Sequence, residues 1–195
     1  MHEGPDRYLQ HRRVLDLAWR LLMLQARPRT VARWTGLRQR SLRTLVGKYA
    51  PIDERNRLKR PRGGSPRKVE LLLNSLRQRH EAAMLAHTCI EMQVIAAHPV
   101  GHVELQLPDV VKGQLLCTAF ASFKRRFPGS GLTIEHGMLL VEELTRNTVL
   151  ALIACPDCGS PMLIDRLAVA RRCASCALDR RIARSASAAM RSEGI

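Results

Sequence analysis

Four cysteines near the end of the chain constrain its fold more than any other feature. They form two C-x2-C pairs separated by fourteen residues, at Cys155, Cys158, Cys173 and Cys176. Two residues between cysteines let a tight turn aim both thiolates at one point, and two such turns complete a tetrahedron around a metal ion. The spacing therefore predicts a small ribbon over residues 153–180 that holds one structural zinc ion.

Other chemistries also use four cysteines. Iron accepts four thiolates as zinc does, and the spacing does not separate the two metals. A pair of redox-active C-x-x-C motifs fits less well, because neither motif is expected at the strand-to-helix turn that thioredoxin-like chemistry needs, and the two motifs stand at ribbon spacing. Apolar runs at residues 162–164 and 167–169 predict two short strands over the metal. The remaining cysteines, Cys89 and Cys117, stand in apolar helical surroundings and are expected to pack in the core.

Positive charge is concentrated in one part of the chain. The 195 residues include 32 Lys and Arg against 17 Asp and Glu, a formal net charge of +15. Residues 27–79 hold sixteen basic and three acidic side chains, a surplus of thirteen positive charges. Such a surplus favours nucleic acid as a partner, since each neutralised phosphate releases condensed counterions. A solvated basic face and an anionic membrane surface are the alternatives, but no stretch reaches the roughly 20 apolar residues of a membrane span.

The basic stretch also predicts a helix-turn-helix, over residues 28–48. Ala32 is small where two helices must cross, and Gly36, four residues later, suits a left-handed turn. The residues expected to turn inward from the second helix and its approach are Leu37, Leu42, Leu45, Val46 and Tyr49. Arg reads guanine and Gln reads adenine in the major groove, so the outward residues are candidates for DNA contacts. These candidates are Arg33, Arg38, Gln39, Arg40, Arg43, Thr44 and Lys48. The alternative is a helical pair that contacts only phosphates or a protein partner.

A basic segment rich in Pro and Gly follows at residues 51–67. Its cations are expected to extend the contact onto the DNA backbone or into the minor groove, the alternative being a solvated loop. The predicted contacts in this segment and at the residue after it are Lys59, Arg60, Arg62, Arg67 and Lys68.

The rest of the chain predicts a mainly α protein. Apolar residues recur every three to four positions over residues 7–25, 68–95, 109–127 and 133–152, and the last of these helices is expected to run directly into Cys155. The predicted domains are an N-terminal helix with the helix-turn-helix at 1–50, the basic loop at 51–67, a helical body at 68–152, the zinc ribbon at 153–180 and a flexible tail at 181–195.

The sequence favours a cytoplasmic binding protein. It contains no Gly-rich phosphate loop, His-Glu zinc protease motif or nucleophile elbow, so we expect no catalytic residues and no enzymatic activity. The first residues lack a basic region leading into a secretory apolar core, and metal-bound or free thiols suit a reducing compartment.

Several local features together resemble the FlhC family, the larger subunit of the bacterial flagellar master transcriptional activator. They are the early helix leading into the helix-turn-helix, the Arg62-Gly-Gly-Ser-Pro66 element, the helix with Gln78-Arg-His80-Glu-Ala-Ala-Met84, and the cysteine quartet entered from a helix. The resemblance covers roughly residues 8–180.

This resemblance implies a DNA-binding activator that works with a smaller FlhD-like subunit in a hetero-oligomer. It implies promoter DNA and RNA polymerase as further partners, flagellar and other operons as targets, and zinc on the four cysteines. The competing hypothesis is a zinc-ribbon protein that binds RNA or ribosomes by shape and phosphates, without sequence preference. An adaptor protein that binds no nucleic acid would leave the charge surplus unexplained.

Overall fold

A computed structural model of the protein describes residues 4–50, 64–97, 104–167 and 172–192. Within these ranges the protein is mainly helical, with a small antiparallel sheet. The α-helices are α1 (Gly4–Met23), α2 (Pro28–Thr35), α3 (Gln39–Tyr49), α4 (Leu76–Glu91), α5 (Val110–Arg126), α6 (Ile134–Arg146) and α7 (Ala174–Ser192). The other elements are a 3-10 helix (Val69–Leu72) and the strands β1 (Leu150–Ala154) and β2 (Pro161–Asp165). No helix in the described ranges has the length and apolar character needed to cross a bilayer.

One hydrophobic core joins the helices α1 to α6. The apolar face of α1 presents Leu17, Ala18 and Leu21, all fully buried, at helical spacing. This face lies against α5 at Gly113, where an added Cβ would be only 2.6 Å from a terminal carbon of Leu17. α4 and α6 complete the core around α5, together with the phenyl ring of Phe123. Gly113 thus permits the close approach of α1 and α5.

The helix predicted at 68–95 is shorter in the structure. Val69–Leu72 form a 3-10 helix, and α4 starts only after Ser75, whose hydroxyl accepts a 3.1 Å hydrogen bond from the backbone N–H of Gln78. Serine at this position is a favoured N-cap. At the other end Gln93 adopts a left-handed φ of 58°, so the helix ends before the predicted boundary.

The helix predicted at 133–152 also ends early. α6 stops at Arg146, because Asn147 adopts a left-handed φ of 55° and caps the helix. β1 follows, so a strand and not a helix leads into Cys155, and the prediction of a continuous helix there is wrong. Residues 162–164 do form a strand. Of the second predicted strand at 167–169, Leu167 is 91% exposed after the end of β2, and residues 168 and 169 lie outside the described residues.

β1 and β2 form a hairpin that joins the helical body to the cysteines. Leu152 pairs with Leu163 in the antiparallel register. Since side chains alternate across a strand, one face of the hairpin packs with Leu150, Leu152 and Leu163 on the helical core. The opposite face, with Met162 and Ile164, packs on the cysteines.

The last described element is α7, which continues to Ser192. A flexible tail is predicted from residue 181, but residues 181–192 are helical in the structure. Leu178 and Ile182 lie four residues apart on this helix and are exposed. The predicted boundary at residue 180 therefore has no counterpart in the secondary structure.

Candidate metal centre and candidate nucleic-acid interface

The first cysteine pair lies in a tight turn directly after β1. The backbone N–H of Gly159 donates to the carbonyl of Cys155 at 2.8 Å, and the N–H of Cys155 donates to the carbonyl of Ser160 at 2.9 Å. Gly159 has a φ of 73°, a left-handed conformation that glycine adopts without strain. The turn lets the thiols of Cys155 and Cys158 approach one point.

The second cysteine pair lies at the start of α7. Cys173 immediately precedes the helix, and its carbonyl accepts a 3.0 Å hydrogen bond from the N–H of Ala177. The backbone N–H of Cys176 points to the sulfur of Cys173 at 3.5 Å.

The structure brings all four predicted ligands together. Their sulfur atoms lie within 4.8 Å of one another, and those of Cys158 and Cys173 are 3.5 Å apart. Four thiolates about 2.3 Å from a zinc ion are separated by roughly 3.8 Å, so the quartet fits one tetrahedral ion. The four cysteines thus form a cluster that could hold a metal ion, and this donor set suits zinc or iron.

Hydrogen bonds divide the four thiols into two kinds. Hydrogen bonds lower the pKa of Cys155 to about 6; the largest contribution comes from the backbone N–H of Cys173, which donates to the sulfur of Cys155 at 3.3 Å. Hydrogen bonds from Ser160 lower the pKa of Cys158. Burial raises the pKa of Cys173, and hydrogen bonding with Cys158 raises that of Cys176. A divalent cation would favour the thiolate form of all four, because metal ligation requires deprotonated sulfur.

An ion pair braces the two cysteine turns. The guanidinium of Arg172, the residue before Cys173, donates from Nε to the carboxylate of Asp157 in the first turn. Both side chains are about one-third exposed, so solvent screening limits its contribution to stability.

α2 and α3 occupy the residues for which a helix-turn-helix is predicted. Residues 36–38 join them, and Gly36 has a left-handed φ of 73° while its N–H donates to the carbonyl of Ala32 at 2.8 Å. The hydroxyl of Thr35 accepts a 3.2 Å hydrogen bond from the N–H of Leu37. These contacts end α2 and fix the direction in which α3 leaves it.

The inner side of the pair packs into the helical core. Trp34 is fully buried and Leu42 is 2% exposed. The half-buried residues at the edge of the core are Leu37, Leu45 and Val46. Tyr49, expected to turn inward, is 61% exposed, so that prediction is wrong. It lies in the last turn of α3, with the ammonium of Lys48 5.6 Å from its ring centre.

The outer side of α3 is exposed and carries no acidic group. Residues 27–49 contain seven basic and no acidic side chains. The predicted contact residues that are exposed here are Arg38, Gln39, Arg40, Arg43, Thr44 and Lys48. Thr44 donates to the carbonyl of Arg40 at 3.2 Å, so its hydroxyl is turned back to the helix. The guanidinium groups of Arg38, Arg40 and Arg43 have no hydrogen-bond or ion-pair partner among the described residues.

The other predicted contacts differ in their placement. Arg33 of α2 forms an ion pair with Glu142 of α6, and burial together with the nearby Arg146 lowers the pKa of Arg33. Its guanidinium is therefore engaged within the fold. Arg67 and Lys68 are exposed. The candidates Lys59, Arg60 and Arg62 lie outside the described residues.

Glu135 is a residue of this region that the sequence does not single out. Glu135 is only 3% exposed, and its carboxylate accepts hydrogen bonds from the backbone N–H of Arg27 at 2.8 Å and from the hydroxyl of Thr30 at 2.9 Å. Burial alone raises the pKa of Glu135, but these donors outweigh it and lower the pKa. The carboxylate caps α2, whose own N-cap residue supplies no side-chain cap. Because glutamate is common in the first turn of a helix, the sequence around Glu135 does not indicate that this side chain caps α2.

Neither a known protein-family model nor a curated protein matches this chain.

Proposed function

We propose that this protein is a DNA-binding transcriptional activator subunit in which α2 and α3 act as a helix-turn-helix. The observation that carries the proposal is the exposed, acid-free outer side of α3, where Arg40 and Arg43 have no partner among the described residues and lie opposite the buried Leu42. Arginine donates bidentately to guanine O6 and N7, and Gln39 matches the adenine edge. A helix of this kind fits the major groove, which is about 12 Å wide.

The proposal includes a partner and a location. We place the protein in the cytoplasm, in a hetero-oligomer with a smaller FlhD-like subunit that recruits RNA polymerase to flagellar and other promoters. The support is the sequence resemblance to the FlhC family and the exposure of Tyr8 and Leu9 on α1, since exposed apolar groups commonly mark interaction surfaces. In this proposal the protein is a binding subunit and not an enzyme.

The proposed cofactor is one structural zinc ion on Cys155, Cys158, Cys173 and Cys176. The support is the convergence of four thiols on one point, which matches the closed four-thiolate sites of structural zinc. Four protein ligands leave no position for water or substrate, so the ion would hold the β1–β2 hairpin against the start of α7.

The decisive experiment compares the affinity of the protein for two DNA duplexes, with and without the proposed partner subunit. Fluorescence anisotropy would measure binding to a flagellar promoter fragment and to a scrambled duplex, with and without the smaller subunit, at one salt concentration. If recognition is specific, the protein with its partner should bind the promoter fragment about a thousandfold tighter, or more, than the scrambled duplex. Equal affinities in all four mixtures would refute the activator proposal. Tighter binding to structured RNA than to either duplex would favour the RNA- or ribosome-binding alternative.

A finer experiment separates base reading from phosphate contact. Arg43→Ala should cost about 1–3 kcal/mol and relax specificity at one base pair, because a base-reading arginine is removed. Lys59→Ala, at a predicted backbone contact, should weaken binding to all sequences alike. Competition with duplexes altered one base pair at a time measures both effects. If neither substitution changes binding, the DNA-facing surface is placed wrongly.

A further inference from the structure

A cleft of about 350 Å³ lies beside α2, on the side of α6. Its walls are α2, the segment 64–68 and α6. Arg29 and Thr30 line it from α2, and Ser65 and Arg67 line it from the segment. Arg29 is not one of the predicted DNA contacts.

Ion pairing leaves a positive surplus in this cleft. Three carboxylates in its lining are each matched by one arginine: Glu135 by Arg27, Glu142 by Arg33, and Glu143 by Arg146. Arg29 and Arg67 have no hydrogen-bond or ion-pair partner within the part of the chain that the structure describes. Two unmatched guanidinium groups, one on each of two walls, therefore face the same space.

A chain of hydrogen bonds from the buried carboxylate of Glu135 ties these two walls together. The carboxylate accepts a hydrogen bond from the hydroxyl of Thr30 on α2 at 2.9 Å, and the Thr30 hydroxyl oxygen lies 3.4 Å from that of Ser65 on the segment. Arg29 is adjacent to Thr30 in sequence, and Arg67 is two residues from Ser65. The backbone positions of both arginines are thus set by one hydrogen-bond network.

We propose that Arg29 and Arg67 bind one phosphate group at the mouth of this cleft. Each guanidinium offers a planar fork of N–H donors that matches two phosphate oxygens, and two positive charges balance a phosphate oxyanion. The phosphate belongs either to the backbone of a duplex held by α3 or to a free phosphate-bearing ligand. The first source rests on the proposed function, because the first helix of a helix-turn-helix crosses the DNA backbone. The second source does not.

Salt-dependent duplex binding tests the first source. The variant Arg29→Ala/Arg67→Ala would be compared with wild type and with the control Arg180→Ala/Arg184→Ala, which removes two exposed arginines from α7. One lost phosphate contact should reduce the slope of log K against log salt by about 0.9, and weaken promoter and scrambled duplexes alike. The control should keep the wild-type slope. Arg29→Lys/Arg67→Lys should keep the slope but lose affinity, because lysine retains the charge without the fork.

A calorimetric titration with inorganic phosphate tests the second source. It also distinguishes failure of the cleft proposal from failure of the activator proposal. If wild type binds phosphate but no duplex, and Arg29→Ala/Arg67→Ala abolishes phosphate binding, the cleft is supported and the activator function fails. If wild type binds duplex while the alanine pair changes neither the salt slope nor phosphate binding, the cleft proposal is overturned and the activator function stands. A wild-type protein that binds neither probe overturns both. Circular dichroism and metal content verify that each variant is folded.

Discussion

The backbone N–H of Arg27 donates a 2.8 Å hydrogen bond to the carboxylate of Glu135, a residue 108 positions further along the chain. The guanidinium of Arg27 pairs with the same carboxylate. A side chain of α6 therefore supplies the cap that α2 lacks, and the position of α2 depends on the helical body. Since the turn at Gly36 fixes α3 relative to α2, the same contact orients the proposed reading helix.

Glu135→Gln should lower the free energy of unfolding by about 1–3 kcal/mol at pH 7, because hydrogen bonds to a buried charge are lost. The folded protein lowers the pKa of Glu135, so its stabilisation is complete above the ordinary carboxyl range and is lost as pH falls below about 4.3 towards the folded pKa. The difference between wild type and variant should therefore shrink between pH 5 and pH 3, roughly the range in which carboxylates take up protons.

Urea denaturation at several pH values measures this difference. Glu91→Gln is the matched control, since Glu91 is exposed and, within the described ranges, its ion-pair partner is His87 at the end of α4, at 3.3 Å. It should change stability by less than about 0.5 kcal/mol. A pH-independent difference between wild type and Glu135→Gln would contradict the assigned role of the carboxylate.

Two glycines in the α2–α3 unit should respond in opposite directions to alanine. Gly36→Ala should destabilise by about 1–2 kcal/mol, because its φ of 73° is unfavourable for an L-residue. Gly47 lies within α3, and no heavy atom is within 4 Å of an added Cβ, so Gly47→Ala should stabilise by up to about 1 kcal/mol. Thermal unfolding of both variants measures the two effects. Similar shifts in both would argue against a left-handed turn at Gly36.

Cys176→Ser should lose the metal. Elemental analysis should give one zinc per chain for the wild type and less for the variant, since three thiolates remain. The control is Cys89→Ala, because Cys89 is fully buried in α4 and burial raises its pKa to about 12, which keeps it a thiol. The control should retain wild-type zinc. Wild-type protein without metal, or a variant with unchanged metal content, would refute the zinc proposal.

The contact between Leu17 and Gly113 predicts a non-additive pair of substitutions. Gly113→Ala should destabilise by about 1–3 kcal/mol through overpacking, since the new Cβ would lie 2.6 Å from Leu17. Leu17→Ala should cost about 2–5 kcal/mol through the cavity it leaves. The double variant should cost less than the sum, because the added methyl enters that cavity. A double-mutant cycle in urea measures the coupling, and additive losses would contradict close packing at this crossing.

The cysteine quartet shows what spacing alone predicts well. The structure confirms that the four sulfur atoms converge on one point, although the second pair lies at the start of a helix and not in a second turn. The secondary structure around it was harder to predict. Residues 150–154 form a continuous apolar run, which suits a buried strand or the end of a helix equally, so the pattern did not reveal β1. The helix α7 has few large apolar residues, and its helical propensity comes mainly from alanine and arginine.

The charged contacts of α2 were not predictable from sequence for a different reason. The partners of Arg27 and Arg33 are Glu135 and Glu142, which lie more than a hundred residues away. Local periodicity predicts which face of a helix is buried, but it does not predict which distant carboxylate meets a given arginine. The sequence therefore places Arg33 among the DNA contacts, whereas the structure engages its guanidinium with α6.

The two faces of the β1–β2 hairpin pack on two different apolar clusters. Leu150 and Leu163 belong to the large core, whereas Met162 belongs to the small cluster with the cysteines. Since the second cysteine pair lies at the start of α7, which also contacts α4, we expect removal of a bound ion to loosen the start of α7 while the hairpin stays packed on the helices. After the metal is removed, the backbone amides of α7 should exchange with solvent faster than before, whereas exchange in the helical body should stay slow and unchanged.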